Sequence, residues 1–377
     1  MEHQGYMPDL NDPYADIRPY SDHEVAPVLQ RLLHSPRVVD AVINHRLTAV
    51  HAWQRPLLRP WLRRRLAQQL KNTASVADFQ QWLEPQIERL LLATTTEVEV
   101  RGLEQLQPNK AYTWISNHRD IAMDPTFVNF TLHRAGWPTS RIAIGDNLLS
   151  DPDVADIMRL NKSFVVKRTV SGRREKLQEL TRLSQFIAQS NQQGHSVWIA
   201  QREGRAKDNR DLTDTAVLKM LSLYGRAEKL SFTDAMAALN PVPVCIYYEW
   251  DPCDVLKARE LVALSEQGEY HKQDHEDMHS IIQGLTGFKG KVCVSFGQPL
   301  TSQDLASAEY MAEAIDRQIL DMTPVYDVQH AAVALLDRNQ GEPASEAGKV
   351  LQARVAQESA EVRRRVWQTY AAPLLNY

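Results

Sequence analysis

The sequence predicts an α/β chain: a mixed, largely parallel sheet flanked by helices, with helical N-terminal and C-terminal regions. Three observations carry that expectation. Short period-two or continuously apolar runs recur between Thr95 and Phe296. Helical patterns lie between most of them, as in strands joined by helical crossovers. Before Thr95 and after Pro299, helical spacing stands alone.

Ser21-Asp22-His23-Glu24 has the spacing of a capping box, and Val25, Val28, Leu29, Leu32 and Leu33 follow at helical spacing until Ser35-Pro36 stops the run. Further helical stretches are expected between Val38 and Thr94, so residues 1–95 read as one helical region. Glu97–Arg101 alternates with period two and ends at Gly102, a strand and its turn. Other strands are expected at Tyr112–Ser116, Arg141–Ile144, Phe164–Lys167, Ser196–Ala200, Pro243–Tyr248 and Lys291–Phe296. A helix is expected over Gly172–Gln189, with Leu177, Leu180, Leu183, Phe186 and Ile187 on one side. That places an α/β domain over 96–300. Helices over Ala306–Leu320 and Ser345–Tyr370, joined by the turn-rich Asn339–Pro343, make a helical region of 301–377.

Composition narrows the function classes. With 43% apolar and 24% charged residues, the 377-residue chain is neither wholly disordered nor collagen-like or mucin-like. Its 43 Lys+Arg against 47 Asp+Glu, a net charge of -4, exclude a globally basic nucleic-acid coat. Cys245, Cys253 and Cys293 are an odd set without a C-x-x-C pair, which argues against a disulfide framework or an all-cysteine zinc site and fits a reducing cytoplasm. No run approaches the ~18 apolar residues of a spanning helix, and the acidic, proline-broken N-terminus is unlike a targeting segment. The expected location is cytoplasmic, with any membrane contact peripheral, on the inner face of the cell membrane.

One segment breaks the charge balance. Residues 41–77 hold Arg46, Arg55, Arg59, Arg63, Arg64, Arg65 and Lys71 with no Asp or Glu, leaving 36 basic against 47 acidic residues elsewhere, a net of -11. Trp53, Leu57, Leu58, Trp61, Leu62 and Leu66 are interleaved with them. Indole and leucine among arginines suit an interfacial helix on anionic lipid, at about 1 kcal/mol per basic residue. The same pattern also suits core tryptophans beneath a solvated arginine face. Nothing else in the chain supports nucleic-acid binding, and none is expected.

The chemistry-bearing residues follow predicted strands. Ser116-Asn117-His118-Arg119-Asp120-Ile121-Ala122-Met123-Asp124-Pro125 puts a histidine at a strand end with carboxylates two and six residues on, able to form a His–Asp dyad. Asp124-Pro125 also reads as a helix start, Asp as N-cap and Pro at the first helical position. The run Asn161 to Arg168 ends a strand with Lys167 and Arg168. Val197–Ala200 opens into Gln201-Arg202-Glu203-Gly204-Arg205-Ala206-Lys207, a Glu-Gly turn among cations, and Asn240-Pro241-Val242-Pro243 begins another strand. Strand ends are where α/β sheets tend to bind ligands.

In these four ordered blocks, over about Val98 to Pro299, the sequence resembles the glycerophospholipid acyltransferases, the lysophosphatidate- and phosphatidate-forming enzymes. That family carries an N-H-x4-D block, a block with an aromatic near a strand and a terminal Arg, an E-G-x-R block and a proline-containing strand start. Here Asn117-His118, Phe164 to Arg168, Glu203-Gly204 and Pro241 to Pro243 stand in that order, and Glu97 to Glu104 looks like the family's opening strand. Two departures stand out. Five residues separate His118 from Asp124, with Met123 at the usual Asp position, so a dyad requires a loop between them, and Asp120 is the alternative partner. Arg205 follows Gly204 directly, so Lys207 is a second candidate for the block's cation.

The resemblance implies transfer of a fatty acyl group from a thioester, acyl-CoA or acyl-carrier protein, to a hydroxyl of a glycerol-phosphate or lysophospholipid-type acceptor. His118 is then the general base, oriented by Asp124 or Asp120. Lys167, Arg168, Arg205 and Lys207 are candidates for acceptor phosphate, with Glu203 and Gly204 shaping that turn. No cofactor is implied beyond the thioester co-substrate. No G-x-S-x-G elbow is present, so no acyl-enzyme is expected. The competing readings are a non-catalytic lipid-binding or scaffold protein on the same fold, and a thioesterase. His271, His275 and His279 lack the H-E-x-x-H order and read as a polar helix face rather than a metal site, and Gly284 to Lys291 lacks the spacing of a phosphate loop.

Overall fold

The structure, a computed structural model, describes residues 12–46, 51–270, 276–337 and 345–375. Seven strands occur among them: β1 Thr95–Arg101, β2 Thr113–Ser116, β3 Arg141–Gly145, β4 Ser163–Val166, β5 Val197–Ala200, β6 Pro241–Tyr248 and β7 Gly290–Phe296. Each falls within two residues of its expected bounds. The predicted fold class, α/β with a mixed and largely parallel strand arrangement, is what the chain forms.

Two compact units divide the chain, residues 1–88 with 141–182, and residues 89–140 with 183–377. They do not follow the consecutive blocks 1–95, 96–300 and 301–377 read from the sequence. Residues 141–182 group with the N-terminal helices because their side chains share one core: Leu160 packs with Val25, Val28, Leu29, Leu32 and Phe79. Sequence periodicity reports what each element is and not which core it joins.

In the first unit, helix Asp22–His34 starts at the expected box, where the Ser21 N–H donates to Glu24 Oε2 at 2.7 Å. Helix Pro36–Arg46 follows, with Pro36 at its first position. Helix Arg55–Leu70 buries Leu62 and Leu66 against Val39 and Ile43, with Leu58 at the margin. Its other side leaves Leu57 and Trp61 at 72% and 52% exposure, and Trp53, in the turn Ala52–Gln54 just before it, is 70% exposed. The tryptophans are therefore not core. Part of the arginine charge is committed, since Arg59 makes a two-point pair with Asp40 (2.8 and 2.6 Å). Residues 47–50 of the basic band lie outside the described residues. β3 and β4 pair in parallel, joined through helix Pro152–Leu160.

In the second unit the strand order is β1-β7-β6-β2-β5. β6, β2 and β5 run parallel, β7 lies antiparallel to β6, and β1 is parallel to β7. β6 is buried along its whole length despite Pro241 and Pro243. The carbonyls of these prolines accept from Leu300 and Gly297, so their ring nitrogens face the side where the β7 ladder has already ended, at Phe296. No ladder bond is lost. Gly102 (φ +78°) makes the turn after β1, and a Cβ there would meet the Phe296 carbonyl oxygen at 2.0 Å.

The C-terminal helices are Ala308–Met322, Asp327–Asp337, Glu346–Arg354 and Ala360–Ala371. The single stretch expected over Ser345–Tyr370 is thus two helices, the second capped by Ser359 on the Val362 N–H. Asp327–Asp337 was not anticipated. The last three of these helices share a core of Val328, Leu335, Leu351, Val366 and Tyr370 with Trp250. The turn-rich Asn339–Pro343 lies outside the described residues.

Candidate active site

β2 and β5 end together, at Ser116 and Ala200, whereas β6 runs on past Val244, the register partner of Ser116, to Tyr248; the loop 117–122 leaves the sheet between β5 and β6. The Gln201 N–H donates to the Ser116 carbonyl at 2.8 Å and the Asn117 N–H to that of Val244 at 3.3 Å. The Asn117 side chain then fixes the loop to β6. Its oxygen takes the Ile246 N–H at 2.8 Å, and its amide nitrogen donates to the Ile246 carbonyl and to Asp211 Oδ2, both at 3.1 Å.

His118 follows, its side chain 15% exposed, with Nδ1 2.8 Å from Asp124 Oδ2. The same oxygen accepts the backbone N–H of Arg119 at 2.6 Å and of Asp120 at 2.9 Å. Oδ1 takes the Tyr248 hydroxyl, from the end of β6. Four donors therefore meet a carboxylate with no exposed surface. Its role as acceptor puts the hydrogen on His118 Nδ1 and leaves Nε2 as the ring's proton acceptor. Trp198 of β5 lies edge-on to the imidazole at 5.7 Å.

The longer spacing is absorbed because 117–122 wraps the carboxylate as a loop. The helix begins two residues earlier than expected, at Met123 instead of Pro125, so Asp124 is its second residue and not its N-cap. Asp120 is not the partner of His118. Its Oδ1 accepts the N–H groups of Ala122 (3.0 Å) and Met123 (2.8 Å), capping the helix start. Asp120 Oδ2 is buried without a hydrogen-bond partner. Burial, and the nearby charge of Asp124, push its carboxyl above the usual range.

Arg119 turns away from the histidine. It is 3% exposed, donating from Nε to the Ile246 carbonyl at 3.0 Å, from Nη2 to Asp211 at 2.5 Å and from Nη1 to Asn209. Its guanidinium covers Tyr247 at 4.4 Å. Burial works against this charge, but Asp211 and its neighbours outweigh it and its pKa is raised. The buried Lys257 donates to the Arg119 carbonyl at 2.7 Å and pairs with Asp251. These groups hold the loop shape.

The Glu203-Gly204 turn lies beside this loop: the Ala206 N–H donates to the His118 carbonyl at 2.7 Å. Glu203 and Gly204 are exposed, with Gly204 at φ +77°. Arg205 Nη2 reaches Ser280 Oγ at 3.4 Å, and no carboxylate pairs with Arg205 among the described residues. The Lys207 ammonium pairs with Glu260. Lys167 and Arg168 belong to the other unit, just past β4. There Lys167 pairs with Asp16 at 2.6 Å and Glu179 at 3.4 Å, and Arg168 packs over Gly145. His279 is exposed, and His271 and His275 lie outside the described residues.

Residues 97–239 match the Acyltransferase family model. The match takes in His118, Asp120, Asp124, Lys167, Arg168, Glu203, Gly204, Arg205 and Lys207, and it ends before β6. The expected enzyme class, acyl transfer, is borne out by this match. Among solved structures, the chain is similar to the 1-acyl-sn-glycerophosphate (LPA) acyltransferase PlsC from Thermotoga maritima, at 15% identity over 65% of this chain and 82% of that one, with a TM-score of 0.34. The comparison with curated proteins gives no match.

Sequence reasoning missed Tyr248, Asn117 as an anchor, and the Arg119–Asp211 pair. Tyr248 and Asp211 lie far from the histidine in sequence; Tyr248 reaches the loop on β6 and Asp211 from the segment after β5, the two strands that flank β2.

Proposed function

We propose that the protein is an O-acyltransferase of phospholipid biosynthesis, moving a fatty acyl group from acyl-CoA or acyl-carrier protein to a hydroxyl of a glycerol-phosphate or lysophospholipid-type acceptor. The observation that carries this reading is the 2.8 Å contact between His118 Nδ1 and a buried, four-donor Asp124, inside the matched domain. His118 Nε2 takes the acceptor hydroxyl proton as its oxygen attacks the thioester carbonyl. The ester C–O bond forms, the C–S bond breaks, and the imidazolium returns the proton to the leaving sulfur. Asp124 stabilises the imidazolium between these steps. Arg205, unpaired with any carboxylate among the described residues, is the favoured phosphate contact on this loop. Lys207 is a further candidate, competing with Glu260, which it already holds.

The acceptor is amphiphilic in this reading because the first unit presents Trp53, Leu57 and Trp61 to solvent beside Arg64 and Arg65, with Arg65 over the Trp61 ring at 5.4 Å. That face suits an anionic lipid surface, and it supports the reading of peripheral attachment to the inner face of the cell membrane. No helix among the described residues is long and apolar enough to cross a membrane. The test is product formation by purified protein given acyl-CoA or acyl-carrier protein with glycerol 3-phosphate or lysophosphatidate in anionic vesicles. Ester product that depends on the acceptor supports transfer, whereas acceptor-independent thioester hydrolysis supports a thioesterase instead.

A further inference from the structure

We propose that Tyr248 is a positioning residue of the transfer centre, whose phenol fixes Asp124 and, through it, the tautomer and angle of the His118 ring. This rests on the reading of His118 as the base and adds a third member to its dyad.

The distribution of donors on Asp124 carries the argument. His118 Nδ1 and the N–H groups of Arg119 and Asp120 all meet Oδ2, whereas Oδ1 has the Tyr248 hydroxyl. Rotation about the last torsion of Asp124 displaces both carboxylate oxygens, and an imidazole bonded to one of them follows. A donor on the second oxygen removes that freedom. Tyr248 is well suited to the task because it stands on a fully buried strand, is itself 3% exposed, and packs its ring at 5.7 Å on Phe127, one turn along the helix that carries Asp124. Ring and hydroxyl thus grip the same helix, and a rigid strand sets the angle.

The alternation of β6 divides the work between two neighbours. Tyr247 lies under the Arg119 guanidinium at 4.4 Å, while Tyr248 serves Asp124. Burial, with Asp124 and Asp120 nearby, raises the Tyr248 phenol well above its ordinary range, so it stays protonated and donates throughout the reaction. No proton leaves it; the transferred proton moves only through His118 Nε2. Tyr248 also lies outside residues 97–239, so the domain match gives no hint of it.

The experiment compares wild type, Tyr248→Phe and His118→Ala in the acyl-transfer assay, with thermal unfolding as a check on fold. It also follows the His118 Nδ1 proton by NMR in wild type and Tyr248→Phe. Phenylalanine keeps the ring on Phe127 and removes only the hydroxyl. The expected result is a fall in kcat of about 10- to 100-fold with KM for both substrates little changed. The acid limb of the pH–rate profile should rise, because charge no longer shared with a phenol concentrates on the imidazolium, and the Nδ1 proton signal should shift. Wild-type kcat, acid limb and Nδ1 signal in Tyr248→Phe, beside an inactive His118→Ala, overturn the proposal and leave the base reading standing. A Tyr248→Phe loss explained wholly by unfolded protein, with the Nδ1 signal of the folded fraction unchanged, also overturns it. If His118→Ala transfers as well as wild type, the base reading falls, and the Nδ1 signal alone decides whether Tyr248 positions the ring.

Discussion

Asp124→Asn separates what the buried carboxylate does for the fold from what it does for the chemistry. The amide keeps an oxygen for the three donors at Oδ2 when its nitrogen turns to Tyr248, whose hydroxyl rotates to accept. Four charge-assisted hydrogen bonds at about 1.5–3 kcal/mol become neutral ones at about 0.5–1.5 kcal/mol. Relief of the repulsion with the buried Asp120 offsets part of that loss. The four bonds together lose about 4–6 kcal/mol before that relief, so the melting shift is at most about 8–24 °C at about 2–4 °C per kcal/mol. Catalysis loses far more. Without a negative charge opposite the imidazolium, kcat is expected to fall about 10³- to 10⁴-fold with KM little changed. The assay follows thiol release and ester product at saturating donor and acceptor, alongside circular dichroism. Retention of more than about a tenth of wild-type kcat by folded Asp124→Asn would refute the reasoning.

Other predictions follow from the same geometry. Asp120 has a raised carboxyl, so its protonation favours the fold: that contribution is full below the unfolded value of about 3.9 and is lost as pH rises through the folded value. Asp120→Asn keeps the Oδ1 cap, and its stability relative to wild type should therefore increase as pH rises above ~4, measured by urea unfolding; a decrease contradicts this. Gly284→Ala would place a Cβ 2.0 Å from Asp120 Oδ2, and should cost about 1–3 kcal/mol even though alanine suits a helix better by about 1 kcal/mol; an unchanged melting temperature would show that the carboxylate gives way freely. Trp53→Ala with Trp61→Ala removes two exposed indoles, and should weaken binding to anionic vesicles by more than about tenfold with melting unchanged; equal vesicle binding would remove the membrane-surface reading.

Much of the fold could be read from local pattern because each strand is short and bounded by turn residues or by helical periodicity. Pro241 and Pro243 marked the start of β6 correctly, and the Ser21–Glu24 box marked a helix start. Patterns failed where tertiary context decides. Nothing in the apolar run Lys291–Phe296 says that β7 runs antiparallel to β6. Nothing in 141–182 says that its Leu160 joins the N-terminal core. The helix start near Asp124 was displaced by two residues because Asp120, two residues beyond the histidine, took the capping role.

The site was half legible. His118 and Asp124 stand at the two ends of one short loop, and their pairing was readable once a loop was allowed between them. Tyr248 was not, since 129 and 130 residues separate Asn117 from Ile246 and His118 from Tyr248 in the sequence, and only strand order brings β6 beside β2. Lys207 and Lys167 look free in sequence and are paired in the structure, with Glu260 and with Asp16. A cation's partners are a property of the fold.

The central claim, that His118 is the base of an acyl transfer, is tested most directly by single-turnover kinetics of His118→Ala beside wild type. Both are mixed with acyl donor and lysophosphatidate in anionic vesicles, at matched vesicle binding and unchanged circular dichroism. A fall of about 10²- to 10⁴-fold in the transfer step is the result the account predicts. Transfer at the wild-type rate by the folded variant would contradict it.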